Sequence, residues 1–321
     1  MKAPPSLNCF SGSIERVLRN LGLTITEHQI LLSGRAPLLQ FDESRSIPTY
    51  KFDVTAMGRL ALENLNFRMR PIDMVDKNSE SLKSLVANSV GGIICWLNPH
   101  NLTTSTKYGR NFDYMHAVVI EGVRNSELDF FDPLVLDIPS FSSKGIIDIE
   151  EMLRSITTPV KGEVFDSVNR FFCIEKTEIE PNNETSRLLT SVISEYATDS
   201  TYETSLSNYC ESLLAHLESN IDLDSKLHIA QYAALTINTW FVRPMIRALN
   251  LAWTEVYDTG ISPSFVTTDR EWHKASMLLL KYRATADTSA VTRLRDILEE
   301  CINRQKAMWE TMIDRNQRCT L

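Results

Sequence analysis

The sequence has no CxxC pair, and its six cysteines, at 9, 95, 173, 210, 301 and 319, are scattered over 321 residues. That spacing excludes a disulfide framework and predicts free thiols, most of them serving as small buried hydrophobes in a reducing compartment. There is no HExxH and no Cys/His group with zinc spacing, so no metal site is expected. GxxxxGK and GxGxxG are missing too. The GG at 91–92 precedes a strand pattern, and no ATP or nicotinamide cofactor is expected. No apolar run reaches the roughly 18 residues of a membrane span, and MKAPPSLNCF lacks the charged start and apolar stretch of a signal peptide. The expectation is a soluble, cytoplasmic chain with no membrane partner.

Positive charge is also scarce. The formal net charge is -8 and the pI about 5.4, which argues against nucleic acid, since neutralising phosphates needs clustered Lys and Arg. The imbalance is uneven: residues 181–240 carry 2 basic and 8 acidic side chains, residues 241–321 carry 12 and 10. An acidic partner would find this last segment more welcoming. Apolar residues are plentiful at 43%, enough to fill two cores.

From residue 9 to about 176 helical and strand patterns alternate. After Asn8 the positions Ile14, Val17, Leu18 and Leu21 follow helical spacing until Gly22, and TEHQILLS reads as a second short helix. Residues 34–52 mix prolines, glycine and charge without a period, which predicts a long surface loop of the kind that forms a lid or a substrate wall. DVTAMGRLALENL and SESLKSLVANS read as helices around the strand FRMRPI. GGIICWL, MHAVVIEGV, ELDFFD and NRFFCIEK are β-rich, the last three compatible with neighbouring antiparallel strands, with a helix at IIDIEEMLRSI before the fourth. After EIEPNNETS helices are expected over 188–196, 202–217, 227–257 with a kink at Pro244, 270–283 and 291–313. The fold class is therefore α+β, with a domain over 1–180 built on an antiparallel sheet and an all-α domain over 181–321.

Cys9 stands at the start of the first helix, within SLNCFSGS. There the positive end of the macrodipole favours a thiolate, and the unpaired N–H groups can hold an oxyanion. Ser11, Gly12 and Ser13 leave room around it. Taken alone, Cys9 is equally one more free thiol near a terminus. In DYMHAVVIEGVRNSELDFFDP, however, His116 lies on one strand and Asp132 ends the next, sixteen residues later. Across a hairpin the two can sit side by side at the same end, so the carboxylate holds one ring nitrogen while the other faces the thiol.

A helix-start Cys, a strand with H-A-V-V and a strand closing on D-P resemble the papain-like fold of the bacteriocin-processing cysteine peptidases. The early Cys, its helix ending in L-G and the added helical domain resemble the butirosin biosynthesis H family within that group. A closthioamide-type, amide-forming relative is also similar. The resemblance implies Cys9 as nucleophile, His116 as general base and acid, and Asp132 as the group that orients it. It further implies an ATP-independent acyltransferase that works in secondary-metabolite assembly. The acyl group would come from a thioester on the phosphopantetheine arm of an acyl carrier protein, and the acceptor would be a small amine, whether polyamine, diamine or amino sugar. The peptidases place a Gln six residues before the nucleophile; position 3 here is Ala. The oxyanion donors expected instead are the Cys9 N–H with Asn8 or Ser6, both equally readable as helix caps.

His100 reads as a solvated loop residue, and His28, His216, His228 and His273 as isolated helical ones. Arg243, Arg247, Arg270 and Lys274 are the expected dock for the carrier protein, although WFVRPMIRALNLAWTEVYD also reads as an amphipathic core helix. Two other functions stay open. One is a cysteine peptidase or amidase using the same three residues with water as acceptor; the other is a catalytically silent binding module in which Cys9 is incidental.

Overall fold

Asn8 decides where the first helix begins. In the computed structural model, which describes residues 2–319 apart from 46, 52, 75, 77, 108, 112–113, 138, 161–169, 180–182 and 258–263, Asn8 is extended and its Oδ1 accepts the Phe10 N–H at 2.8 Å. Helix α1 (Cys9–Asn20) runs from this cap. It ends in a Schellman motif, with Leu23 N donating to Leu18 O, Gly22 N to Arg19 O, and Gly22 at φ +81°.

Two compact units follow. The first comprises residues 1–30 and 54–183, the second residues 31–53 and 184–321. The first unit carries α1, the start of α2 (Glu27–Ser33), α3 (Val54–Asn64), α4 (Ser79–Ala87) and α5 (Ile149–Thr157). Among the described residues its sheet has seven strands: β1 (Lys2–Ala3), β2 (Phe67–Ile72), β3 (Ile93–Leu97), β4 (His116–Arg124), β5 (Glu127–Val135), β6 (Phe141–Asp148) and β7 (Phe171–Lys176). Their order is β1-β6-β5-β4-β3-β7-β2 and every pairing is antiparallel.

Three strand expectations are corrected. β6 falls where no strand was expected, because its FSSKGIID sequence is half polar and only Ser142 and Ile147 are buried. The helix expected from Ile146 starts at Ile149, where Asp148 Oδ1 accepts the Glu150 N–H at 2.9 Å. β7 is no neighbour of β4 or β5; α5 intervenes, and the chain comes back between β3 and β2.

Each face of the sheet is covered by helix. Phe10 of α1 stacks on Trp96 of β3, centroids 5.0 Å apart, and meets Phe172 of β7 edge-on at 6.2 Å. On the alternate positions of β3, Cys95 and Leu97 join Leu82 of α4 and Met152 and Ile156 of α5 in a second layer.

The second unit contains α6 (Thr185–Thr198), α7 (Thr201–Glu218), α8 (Leu223–Leu235), α9 (Val242–Tyr257), α10 (Phe265–Thr285) and α11 (Ser289–Cys319). Residues 31–53 belong to it rather than to the sheet unit. Phe41 and Tyr50 pair across a short bridge, and Tyr50, only 3% exposed, stacks on Tyr209 of α7 at 4.7 Å and against Phe241 at 6.4 Å. The expected surface loop is thus in large part an anchored hairpin, since burying the Tyr50 ring against Tyr209 outweighs its prolines and charges. The kink expected at Pro244 also moves. A π-helical turn over Thr236–Trp240 breaks the helix first, and Pro244 sits in the first turn of α9, where the helix lacks acceptors for N–H groups in any case.

If Phe10 is the main tie between α1 and the sheet, Phe10→Ala should cost about 3–5 kcal/mol. Val90→Ala, at a position 77% exposed, should stay within about 0.5 kcal/mol. Urea denaturation of both variants against the parent chain measures the difference.

Candidate active site

Three elements deliver one side chain each. Cys9 is the first residue of α1 and His116 the first of β4. Asp132 lies where the β5–β6 register shifts, between Asp132 and Val135. The β4–β5 ladder pairs Val119 with Phe131 and Ile120 with Phe130. One step further along that register puts Asp132 opposite Val118, so Asp132 reaches His116 diagonally and not from directly across.

His116 Nε2 and Asp132 Oδ1 are 2.8 Å apart, and the same oxygen accepts the Leu134 N–H at 3.0 Å, which fixes the carboxylate. The Cys9 thiol lies on the other side of the imidazole, near enough to help raise its pKa. With Nε2 held by Asp132, Nδ1 is the nitrogen left for sulfur. The sequence-based trio therefore comes together in space.

The cluster is nearly dry: Cys9 is 6% exposed, His116 1% and Asp132 4%. Burial opposes charge on His116, but the Asp132 carboxylate, its hydrogen bond and the Cys9 contact outweigh it and raise the imidazole to about 10. Tyr114 closes one side, its ring 5.7 Å from that of His116 and edge-on to it. Burial, then the Asp132 and Cys9 charges, push the Tyr114 phenol well above its usual value.

Backbone contacts bring α1 to this end of the sheet. The Ser6 N–H donates to Pro133 O at 2.9 Å. At Gly12 any Cβ would collide with the Ser6 side chain and lie 2.9 Å from Pro133 Cβ, so only glycine lets the first turn of α1 come this close. Of the two expected oxyanion donors, Ser6 is packed under Gly12, and Asn8 uses Oδ1 as the helix cap.

Sequence reasoning missed two neighbours. Tyr114 was two residues from His116 in the same motif and went unweighed. Glu27, in the first turn of α2, is 8% exposed and accepts hydrogen bonds from Leu7 N, Asn8 N and Ser11 Oγ. A Glu in the first turn of a helix is so ordinary that its sequence offers no signal.

The basic residues of the second unit are placed otherwise than expected. Arg243 is 7% exposed and makes two hydrogen bonds of 2.9 Å to Asp269, with further bonds to Asn238 and to His273 Nδ1. Burial and the Arg243 charge lower His273. Arg243 is therefore removed from the expected dock. Arg247, Arg270 and Lys274 keep exposed side chains, paired with Asp269, Glu271 and Glu271. His100 is exposed, and His28 and His216 bond locally to Thr26 and Ser212.

Among the described residues no group of three or more His, Cys, Asp or Glu could hold a metal ion, and no helix is long and apolar enough to cross a membrane. The five described thiols, Cys9, Cys95, Cys173, Cys210 and Cys301, are free and buried. No protein-family model matches the chain, and no curated protein matches it either.

Because folding raises His116, folded protein holds a proton that unfolded protein has lost between about pH 6.5 and about pH 10. The contribution is complete below that window and lost as pH rises through it. Melting temperatures between pH 6.5 and 10 should fall more steeply for the parent chain than for His116→Gln.

Proposed function

We propose that the chain is an ATP-independent cysteine acyltransferase with a papain-like first unit, similar to the butirosin biosynthesis H family. It would carry an acyl group from a carrier-protein thioester through Cys9 to a small amine, a polyamine, diamine or amino sugar, in cytoplasmic secondary-metabolite assembly. The observation that carries this reading is the buried cluster of Cys9, His116 and Asp132, with His116 hydrogen-bonded to Asp132.

The chemistry follows from the protonated imidazole. Cys9 attacks the thioester carbonyl as thiolate, and N–H groups at the start of α1, that of Cys9 first, meet the oxyanion. As the tetrahedral intermediate collapses the carbon–sulfur bond to phosphopantetheine breaks, and His116 gives its proton to the leaving thiol. Neutral His116 then takes a proton from the amine as its nitrogen attacks the acyl-enzyme. The amide leaves, and the thiolate and imidazolium are restored. Asp132 keeps the ring oriented through both transfers. The thioester supplies the activation, so no nucleotide is consumed.

Burial bears on the choice of acceptor. A thiol only 6% exposed suits a thin pantetheine arm better than a folded peptide loop, and a site short of water favours amine over hydrolysis. Ala3, where the peptidases carry Gln, points the same way.

Intact-protein mass spectrometry with a panel of acyl thioesters, chased with diamines, tests the reading. An adduct is expected on the parent chain and none on Cys9→Ala, with discharge faster by amine than by water. His116→Ala and Asp132→Asn should slow transfer by roughly 10³–10⁴-fold. Discharge as fast by water, together with peptide cleavage, would make the protein a hydrolase; no adduct from any thioester would leave only binding.

The carrier would dock on the exposed cations Arg247, Arg270 and Lys274. Arg270→Glu with Lys274→Glu should raise KM for a carrier-bound donor about tenfold at low salt and leave turnover of a small-molecule thioester unchanged.

A further inference from the structure

Three donors around Cys9 converge on one carboxyl group. Leu7 N donates to Glu27 Oε2 at 2.7 Å, Asn8 N to Oε1 at 2.9 Å and Ser11 Oγ to Oε1 at 2.6 Å. Two of them lie just before the nucleophile and one just after, so the carboxyl of α2 spans the turn that presents sulfur to His116. Cys9 itself is left out of the clamp and free for chemistry.

We propose that Glu27 is the positioning residue of Cys9, a carboxylate clamp that sets the thiol against His116 and couples its reactivity to protonation of the clamp. This rests on reading Cys9 as the nucleophile, but not on the identity of the acyl donor or acceptor.

A carboxylate suits the task because it is acceptor-only on both oxygens. Glutamine offers one acceptor and would turn an NH₂ toward the Leu7 N–H. Protonation does the same thing reversibly: one oxygen becomes a donor, and one of the three partners loses its acceptor. Buried N–H groups without a partner do not stay where they are, so the turn that holds Cys9 would relax.

The surroundings put this titration near neutrality. Burial raises Glu27, the hydrogen bonds from Ser11, Leu7 and Asn8 oppose it, and Glu15 of α1 adds repulsion, leaving the carboxyl at about 7. On α1, Cys9 and Glu15 are the titratable groups nearby. Glu15 is itself paired with Arg19. On α2 the neighbour is His28, whose Nε2 is bonded to Thr26 Oγ1. Among the described residues, the segment before α1 brings the backbone amides of Leu7 and Asn8.

The test is the rate of Cys9 alkylation by iodoacetamide from pH 5.5 to 8.5, for the parent chain, Glu27→Gln and Ser11→Ala, with acyl-enzyme formation measured in parallel. The parent profile should show a rise near pH 7 that is absent in Glu27→Gln, whose rate should be about 10- to 100-fold lower. Ser11→Ala removes a bond that favours the ionised clamp, so its rise should move to higher pH. A rise that persists in Glu27→Gln, or that Ser11→Ala leaves in place, would overturn the proposal. So would a lowered rate with an unchanged profile, the mark of a merely structural role. Should Glu27→Gln fail to fold, Ser11→Ala still decides. Alkylation needs no thioester, so a failure of the acyltransferase reading shows in the parallel assay alone.

Discussion

The His116–Asp132 pair is the contact on which the rest of the site depends. Its two side chains are 2% and 6% exposed, and a buried pair of this kind is no bargain for stability. Desolvation consumes much of the Coulombic gain, and an apolar pair of similar volume would serve the fold as well or better. Removing one partner is another matter, because the survivor is then buried without compensation. The surrounding structure therefore has to hold both groups in register. It does so with the Leu134 amide on Asp132 Oδ1 and the ring of Tyr114 against His116.

That requirement shapes how α1 docks. The helix could bury its apolar face on the sheet at many heights, since Phe10 packing on Trp96 and Phe172 is not in itself directional along the strand. What selects the height is polar and steric: Ser6 bound to Pro133 O, and Gly12 admitting Ser6 and Pro133 where any side chain would push them off. Pro133 follows Asp132, so the residue that receives the helix adjoins the one that orients the imidazole. Packing supplies the attraction, and these short-range contacts convert it into a position accurate enough for a thiol to meet a ring nitrogen.

Much of this was legible in the sequence, and the failures share a cause. Local signals worked: the Asn8 cap, the apolar spacing of α1, the β-rich runs from Ile93 to Asp132 and the spacing of His116 and Asp132 each depend on a few neighbouring residues. Signals that depend on distant partners did not. Asp132 was expected beside His116 and lies diagonal to it: the turn pairs Arg124 with Glu127, and the bulge between Ile120 and Gly122 then shifts the register by one, which leaves Asp132 two residues from the position opposite His116. Residues 34–52 read as loop because the aromatic neighbours of Tyr50 are about 160 and 190 residues away, at Tyr209 and Phe241. Glu27 carried no signal at all, since its partners are two backbone amides and a serine on another helix.

Arg243 shows the same limit for charge. Summed along the chain, residues 241–321 carry a small basic excess, yet Arg243 points inward, where Asp269, Asn238 and His273 surround it. It lies just beyond the π-helical turn over Thr236–Trp240, and Asn238 of that turn is one of its ligands. The turn that breaks the helix before Pro244 thus also supplies one of the acceptors that hold the guanidinium inward. Sequence charge counts residues; the field at a surface counts only those whose partners leave them there. On that count Arg243 drops out of the charge that α9 and α10 offer outward, and Arg247, Arg270 and Lys274, each exposed beside an acidic partner, are what this stretch keeps at the surface.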